Sequence, residues 1–522
     1  MGVDTGLLIL AAGKGTRLKS ERAKVLHEAG GLPLLAHVLR GIAPLRLPTF
    51  VVVGHQAGSV EPIAAAYRAR TILQRPQLGT GHAVRLALDN LPRTLRHLLV
   101  LPGDAPLIRA ETLQALLAAH RASAAAATVL TAELDNPYGY GRIVRRADGQ
   151  IDAIVEQNAL RPAQAGLHEV NAGMYSFERA QVAPFLLRLG RDNPHREYYL
   201  TDVIALLGAA GEKVVPFLAA DCEEILGANT PAELAELDRI LRRRKAEAVM
   251  RAGVTLYQPE SVGIDPDVSI GPDTIVEPGA QLLGTTRIGR RCRIGAFSIL
   301  RDAQVADDVT VRPHCLIVSS RLGPGTAVGP FAHLRDAADI RRGARIGNYV
   351  EVKKSVVGEG TKALHLTYLG DATIGKNTNV GAGTITCNYD GVTKHPTTIG
   401  DDVFIGSGTE LVAPIKVRRG AYVAAGSTVT EDVPPNALAV ARGRQVNKLG
   451  WARKRREALA TAKETPEGGR GARIVRADTR PPRRVAAARP ATRGATKRPR
   501  RRKSGTGKRK TQTGKTARKR RR

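Results

Sequence analysis

The sequence predicts two unlike halves on one chain, an α/β domain with a mostly parallel sheet and then a parallel β-helix, with a disordered basic tail behind them. Three observations carry this. Short apolar runs alternate with helical patterns over the first third, the signature of βαβ units. From Ile264 onward an aliphatic residue recurs every six positions. Residues 451–522 hold 28 Lys or Arg against 4 Asp or Glu, which is +24 of the chain's +32 and leaves about +8 for the first 450 residues.

In chain order, the runs at 7–10, 49–53 and 98–101 read as buried strands, and 32–40, 81–90 and 111–122 as the helices between them. The stretch ELAELDRILRRRKAEAV has helical apolar spacing and few breakers, so it reads as a linker helix. These signals divide the chain into 1–230, a linker at 231–251, a second domain at 252–450 and a tail at 451–522. In the second domain the repeat runs from Ile264 through Leu282 to Leu300, slips by one residue before Val305 and again before Leu322, and continues to Val352. It resumes at Ile374 and Val380 and runs from Ile399 to Val429. A six-residue period with glycine after the aliphatic, as in IGRRCR and IGNYVE, marks a β-helix whose coils stack their aliphatics in one column. Such a column explains an aromatic content of only 4%. The non-repeating stretch 362–370 is expected to leave the coil as a loop, where function tends to sit.

The four cysteines are scattered without a CxxC, which argues against a zinc cage or a disulfide framework. No apolar run approaches the roughly 20 residues of a spanning helix, and the N-terminus lacks the features of a signal peptide, so a cytoplasmic protein is expected. The tail has too few apolar residues to order itself. Its charge suits a polyanion such as nucleic acid, bound by counterion release; the alternative is a solvated tail without a specific partner. Its Gly514-Lys515-Thr516 is no phosphate-binding Walker loop, because Arg509 stands where the first glycine belongs.

The chemistry begins at LAAGKGTRL, directly after the first strand. Gly13 and Gly15 leave backbone N–H groups free to approach phosphates, and Lys14 and Arg17 add cations. A plain glycine-rich turn is the alternative. Lys24 is in reach of the same phosphates, unless it is a surface lysine. Gln74 and the LGTGHA that follows offer amide and backbone groups suited to a nucleobase edge and ribose, or simply a turn. Asp104 stands past the carboxyl end of a buried strand, the edge where open α/β sheets bind ligands. A carboxylate there suits Mg²⁺, or serves as a cap. In the second half, His365 offers an imidazole, a side-chain type suited to act as base for an amine nucleophile, unless it is a surface residue.

The segments LAAGKGTRLKS, KVLH, QLGTGHA, DNPYGYGRIVR, IVEQ, VNAGMY, YYLTD, HLTYLGD and GAGTITCNYDG, with the hexapeptide block, resemble the sugar-nucleotide pyrophosphorylases. Within that group they resemble the bacterial bifunctional N-acetylglucosamine-1-phosphate uridylyltransferase/glucosamine-1-phosphate N-acetyltransferase family, over residues 5–450. The resemblance implies a Rossmann-like mixed-sheet nucleotidyltransferase domain followed by a left-handed parallel β-helix. It implies that Leu10, Ala11, Ala12, Gly13 and Lys24 contact UTP with Arg17 at the phosphates, and that Gln74, Gly79 and Thr80 hold uracil and ribose. Gly103 and Asp104 fall in the metal-binding segment, Gly141, Glu156 and Asn171 would grip N-acetylglucosamine, and Asn229 would complete the Mg²⁺ site with Asp104. Arg17 and Lys24 would neutralise charge during nucleotidyl transfer.

For the second half the resemblance implies His365 as catalytic base. Arg335 and Lys353 would sit on the phosphate of glucosamine 1-phosphate, with Tyr368 and Asn379 on the sugar. Ala382, Asn388, Tyr389, Ser407, Ala425 and Arg442 would lie along acetyl-CoA. It also implies a homotrimer. Two positions depart from the family: Pro102 stands where an aromatic is usual and Ala23 where proline is usual. The alternative is a single-activity pyrophosphorylase whose β-helix only oligomerises it; His365, Lys353, Arg335 and the NYDG segment argue against that.

Overall fold

The computed structural model describes residues 4–464. The central sheet of the first half runs, in spatial order, Val214–Leu218, Ala127–Glu133, Glu169–Glu178, His97–Pro102, Thr5–Ala11, Thr49–Val53 and Arg70–Leu73. Neighbours are parallel except Glu169–Glu178, which is antiparallel to both neighbours in this order and to Arg142–Arg145 beside it. The sheet is therefore mixed. Its strands alternate between two cores with the period of two that a pleated strand imposes. Leu8, Val52 and Val100 pack on one face, and Leu7, Ile9, Val53 and Leu101 on the other. Burial on both sides is why these strands read as continuous apolar runs.

The expected helices are present as Leu34–Ile42, Thr80–Asn90 and Ala110–Ser123. Because Thr5–Ala11 and His97–Pro102 are parallel neighbours, the segments after them emerge at one edge, where Gly103 N donates to Leu10 O at 2.9 Å. The helix Pro231–Arg251 follows a capping box in which Thr230 and Glu233 bond each other's backbone N–H. It joins the halves: Leu237 and Ile240 pack with Leu34 and Leu107, while Ala246 and Val249 enter the column of the β-helix. Lys245 Nζ donates to Pro266 O (2.9 Å) and Val268 O (2.7 Å) on the first coil.

In the β-helix, parallel strands stack at intervals of one coil. Ile264 lies beside Leu282, then Leu300, Ile317, Leu334, Val352 and Leu369 in turn. These side chains are buried and form one core. The two slips in the sequence period are coils of 17 rather than 18 residues.

One expectation fails here. Lys362–Gly370 is not a loop. It is a strand, paired with Arg345–Lys353 from Arg345↔Lys362 through Lys353↔Gly370. Ala363 and Leu369 point inward and are fully buried, and Val357 continues the column before them. A pattern read from large aliphatics passes over Ala363, whose small side chain still fills an inward site. The excursion lies instead at 388–396, between Ile385–Cys387 and Thr397–Ile399. Ala372 and Thr397 are lateral partners 25 residues apart, whereas Thr397 and Ile415 are separated by 18.

In the unit that begins at Gln445, residues 451–464 form the helix Trp451–Glu464, so the stretch that composition reads as unstructured begins with 14 helical residues. The rest of the tail lies outside the described residues. Among the described residues no helix is long and apolar enough to cross a membrane, and the four cysteines are free.

Candidate active sites

A cavity of about 560 Å³ opens at the carboxyl edge of the central sheet. Of the sequence-predicted residues, Leu10, Ala11, Ala12, Gly13, Lys24, Gln74, Gly79, Thr80, Asp104, Glu156 and Asn171 line it. Gly15 is required by the loop's path: its φ is +71°, and a Cβ there would stand 2.6 Å from Lys24 Cβ. Only a bare backbone fits that close beside Lys24. Its ammonium pairs with Asp104 and donates to Asn229 Oδ1 at 2.7 Å; Arg17 Nη2 donates to the same oxygen at 2.7 Å. Residues distant in sequence thus converge on one polar point at the cavity mouth.

Local structure explains the convergence. Asn229 sits just before the capped helix, and its N–H donates to Glu233 Oε2 at 2.5 Å, so the helix cap also fixes the amide. The segment before Lys24 is held by Gln56. Its Oε1 accepts from Ala23 N at 2.8 Å and its Nε2 donates to Glu21 O at 3.0 Å. A proline at 23 would have no N–H for that bond, so Ala23 brings its own anchor.

Deeper in, Asn171 Nδ2 donates to Tyr175 Oη (2.9 Å) and its Oδ1 accepts from Gly173 N (3.0 Å). Glu156 Oε1 accepts from Thr201 Oγ1 at 3.2 Å. Burial raises the Glu156 carboxyl above its ordinary value against that bond, and burial raises Asp202 as well. Gly79 adopts φ +106°, and a Cβ there would stand 2.6 Å from Tyr198 O; only glycine lets the 198–201 segment close over the pocket. Gly103 and Gly141 support rather than line it: Gly103 N bonds Leu10 O, and Gly141 O accepts from Asn171 N, both at 2.9 Å.

The second constellation stands at one corner of the β-helix. Asn348 is the lateral partner of His365, and His365 Nδ1 lies 2.9 Å from Asn348 Oδ1. An amide oxygen only accepts, so Nδ1 carries a proton, and in the neutral ring the lone pair is then on Nε2. Above His365 the corner continues through Ala382, Ser407 and Ala425, linked as Gly383 N to Leu366 O, Gly408 N to Ala382 O and Gly426 N to Ser407 O. Arg442 closes the column by donating to Ala425 O at 2.8 Å. The adjoining residues Gly383, Gly408 and Gly426 carry no side chain, so a bare lane runs up from His365.

Arg335 and Lys353 are lateral partners on the face after that corner, with Tyr368 one coil on. Arg335 is held by Glu351 (2.7 and 2.8 Å) and Asp336 (2.9 Å). Asn379 stands on the face before the corner, beside Lys362 and Phe404. Asn388 is buried at the foot of the 388–396 excursion and donates to Asp371 Oδ2 at 2.6 Å; Tyr389 is exposed. His365 itself lies on a strand, not in a loop, contrary to expectation.

Sequence reasoning missed several neighbours. Lys394, on the excursion, adjoins Lys353, whose hydrogen bond and then positive charge push the Lys394 ammonium below its ordinary value. Asn348 was also missed, although it sits in a repeat unit, IGNYVE, where a polar amide before an aromatic has no packing reason. In the first site Gln77, Tyr175, Tyr199 and Thr201 line the cavity; Tyr199 and Thr201 belong to the YYLTD segment.

The MobA-like NTP transferase domain model matches residues 7–251. The bacterial transferase hexapeptide model matches 267–302, and the hexapeptide repeat of succinyl-transferase matches 396–431. The chain is 50% identical over 455 residues to the Bifunctional protein GlmU of Koribacter versatilis, covering 86% of this chain and 97% of that protein. It is 48% identical to the protein of the same name from Trichlorobacter lovleyi (86% and 98% covered), and 48% to that of Exiguobacterium sibiricum (84% and 98%). With both halves matched in order and nearly the full length of these relatives covered, the chain belongs to the bifunctional GlmU family, the uridylyltransferase/acetyltransferase enzymes that its motifs resemble.

Proposed function

We propose that the β-helix acetylates glucosamine 1-phosphate from acetyl-CoA, and that the α/β half then joins the product, N-acetylglucosamine 1-phosphate, to UMP from UTP. In the first reaction the sugar amine attacks the thioester carbonyl, His365 Nε2 takes the amine proton, and CoA leaves as thiolate to be protonated. Asn348 holds the imidazole in the tautomer this needs. Lys353, Lys394 and Arg335 receive the sugar phosphate, Arg335 by exchanging part of its bonding to Glu351. Tyr368 and Asn379 contact the sugar from either side of the corner. The lane beside Ala382, Ser407 and Ala425 takes the pantetheine, with Arg442 on a CoA phosphate and Asn388 and Tyr389 alongside.

In the second reaction a phosphate oxygen of the sugar attacks the α-phosphorus of UTP in line. A new P–O bond forms, the α–β bond breaks and pyrophosphate leaves. The Gly13 loop, Arg17 and Lys24 bind and neutralise the phosphates. Gln74, Gly79 and Thr80 hold uridine, while Glu156 and Asn171 hold the acetylated sugar with Gly141 behind them. The donor set at the cavity mouth fits Mg²⁺: Asp104 and Asn229 offer hard oxygens aimed at one cationic point, and the rest of an octahedron suits phosphates and water. Among the described residues no cluster of three or more His, Cys, Asp or Glu offers a richer metal site. Bound there, Mg²⁺ supplies charge neutralisation to the phosphates. Both co-substrates are cytoplasmic metabolites, so the enzyme acts in the cytoplasm.

We also propose that the chain works as a homotrimer and that its basic tail binds polyanions, nucleic acid among them. Self-association is supported by a ladder at the His365 corner. Phe297, His314, Phe331 and Tyr349 stack at 5.4, 5.1 and 5.3 Å, and the Phe and Tyr rings are 46–60% exposed. All four hold positive φ, which costs about 1 kcal/mol each for a side chain other than glycine. The mass of the assembly in light scattering tests the trimer. A salt-dependent shift of DNA or RNA, lost when the residues after Thr461 are removed, tests the tail.

The observation that carries the two-reaction reading is the coexistence, on one chain, of the Lys24–Asp104–Asn229 convergence and the His365–Asn348 pair below a bare lane. The test is mass spectrometry of products from glucosamine 1-phosphate, acetyl-CoA, UTP and Mg²⁺. Wild type is expected to make UDP-N-acetylglucosamine. His365→Ala should make it only from supplied N-acetylglucosamine 1-phosphate, and Lys24→Ala should stop at that intermediate. A wild type that itself needs the acetylated sugar would overturn the reading.

A further inference from the structure

We infer that His82 sets which pyrimidine the nucleotide cavity accepts, by locking the amide of Gln74 with its oxygen toward the ligand. The inference rests on Gln74 meeting the base, as proposed above. Gln74 follows the strand Arg70–Leu73, is 2% exposed, and is pinned by its own N–H donating to Val53 O at 2.8 Å. Its Nε2 donates to Gly79 O at 3.1 Å and lies 3.0 Å from His82 Nδ1. A carbonyl only accepts, so the end of the amide facing Gly79 is the NH₂. The second N–H then meets His82 Nδ1, which must present a lone pair. His82 is therefore neutral, with its proton on Nε2. Both amide hydrogens are spent inside the protein. Among the described residues no group bonds Gln74 Oε1, although Gln74 lines the cavity.

An acceptor fixed at that place reads the N3 edge of a pyrimidine. Uracil offers an N3–H donor there; cytosine offers an acceptor lone pair, which the oxygen repels. A free glutamine would accommodate both by turning its amide over. His82 adds to the Gly79 carbonyl in removing that choice, because an inverted amide would set Oε1 against both the carbonyl and the Nδ1 lone pair. His82 is thus a positioning residue for base selection.

The groups around His82 keep it neutral. It lies in the first turn of the helix Thr80–Asn90, where the helix dipole disfavours a cation. Burial first, and then Arg85 on the same helix, lower its affinity for a proton. From the facing segment Tyr198 stands at 6.3 Å between rings, with Arg85 and Arg191 over it at 5.2 and 5.5 Å, and Glu197 lies against Gly79.

The test is kcat/KM for UTP and for CTP, measured on the full chain with N-acetylglucosamine 1-phosphate and Mg²⁺. His82→Leu removes one of the two acceptors that hold the amide and leaves the Gly79 carbonyl as the other. The UTP/CTP preference should narrow about fivefold to tenfold, the worth of one hydrogen bond, through KM for UTP with kcat nearly unchanged. His82→Asn places an oxygen as many bonds from Cβ as Nδ1 is and should restore most of the preference. In wild type the preference should also narrow in acid, once His82 takes a proton, and should stay flat in His82→Asn. This second measurement holds even if His82→Leu does not fold, which acetyl transfer and circular dichroism of the variant report. A wild-type UTP/CTP ratio in His82→Leu, or an acid-insensitive ratio in wild type, overturns the inference. Gln74→Ala separates the two levels. If it leaves KM for UTP unchanged, the base does not rest on Gln74 and the underlying reading fails. If it raises KM while His82→Leu keeps the ratio, the inference about His82 alone fails.

Discussion

The two halves build their candidate sites by opposite means. In the α/β half the site is gathered from loops: Lys24, Asp104 and Asn229 are far apart in sequence and meet only because parallel strands release their loops at one edge. In the β-helix the site is the coil itself. Residues one coil apart are always neighbours, so Asn348, His365 and Ala382 stack by register alone. A loop-built site depends on individual bonds, such as Gln56 on Ala23 or Glu233 on Asn229. A register-built site depends on every coil beneath it keeping its count.

That contrast is sharpest in the core. Leu334 is fully buried between Ile317 and Val352 in the aliphatic column. Leu334→Ala should cost about 3 kcal/mol. Because coils contact only their neighbours, the loss should fall on the acetyl-transfer site first. Following both activities through a thermal ramp checks this. If acetyl and uridylyl transfer disappear together, the halves unfold as one unit, and the helix Pro231–Arg251 couples them more tightly than its shared packing suggests.

Acid should separate the halves in the other direction. His120 is buried beside Thr128, with Nδ1 2.9 Å from its Oγ1 and His97 edge-on at 5.4 Å. Burial first, then His97 and Arg121, lower its pKa from 6.5 to about 4. The folded state therefore favours the neutral ring. Its contribution is complete above pH 6.5 and is lost as the pH falls through about 4, since the unfolded chain binds the proton first. The gap corresponds to about 3 kcal/mol at most. His97, lowered by burial against Glu178 and Asp4, adds in the same sense. Among the described residues no histidine of the β-helix is buried. Denaturation midpoints between pH 7 and 4 should fall for uridylyl transfer faster than for acetyl transfer, and His120→Asn should flatten the difference.

Within the corner site, Asn348→Ala should lower kcat for acetyl transfer about tenfold, within the range general-base positioning supplies. Asn348→Asp, which keeps an acceptor for the ring, should restore most of the rate. Uridylyl transfer should not change. A tenfold loss that Asn348→Asp does not rescue would make Asn348 a packing residue.

How much of this was legible in the sequence follows the same division. In the α/β half the glycine loop, the post-strand Asp104 and the strand and helix runs were readable because each has a local physical signature. What was not readable was the partner of each bond. Gln56 and Glu233 are ordinary surface residue types until the fold brings them to Ala23 and Asn229. In the β-helix the period was plain, yet its one excursion was misplaced. Ala363 and Thr386 fill inward positions with small side chains, so an aliphatic count breaks at 362–370, while the real insertion at 388–396 hides in a polar stretch. His365 was identified through its motif, and its place on a strand came from register that no single residue announces.

The smallest effect tests the bond-built site most directly. The capping box of Thr230 and Glu233 closes two backbone donors at the start of the linker helix. Thr230→Ala removes one cap bond (Glu233 N to Thr230 Oγ1, 3.2 Å) and should cost about 1 kcal/mol. Its second effect reaches the chemistry. Glu233 also receives Asn229 N, so a loosened cap lets Asn229 drift from Lys24, Arg17 and the proposed Mg²⁺ point. The Mg²⁺ concentration for half-maximal uridylyl transfer should rise several-fold, with kcat at saturating Mg²⁺ nearly restored and acetyl transfer untouched. If stability falls by the expected amount while the Mg²⁺ requirement does not move, Asn229 is held by its side-chain bonds alone. The loop-built site would then be as self-sufficient as the register-built one, and the contrast between the two halves would lie only in how they are assembled, not in how they are kept.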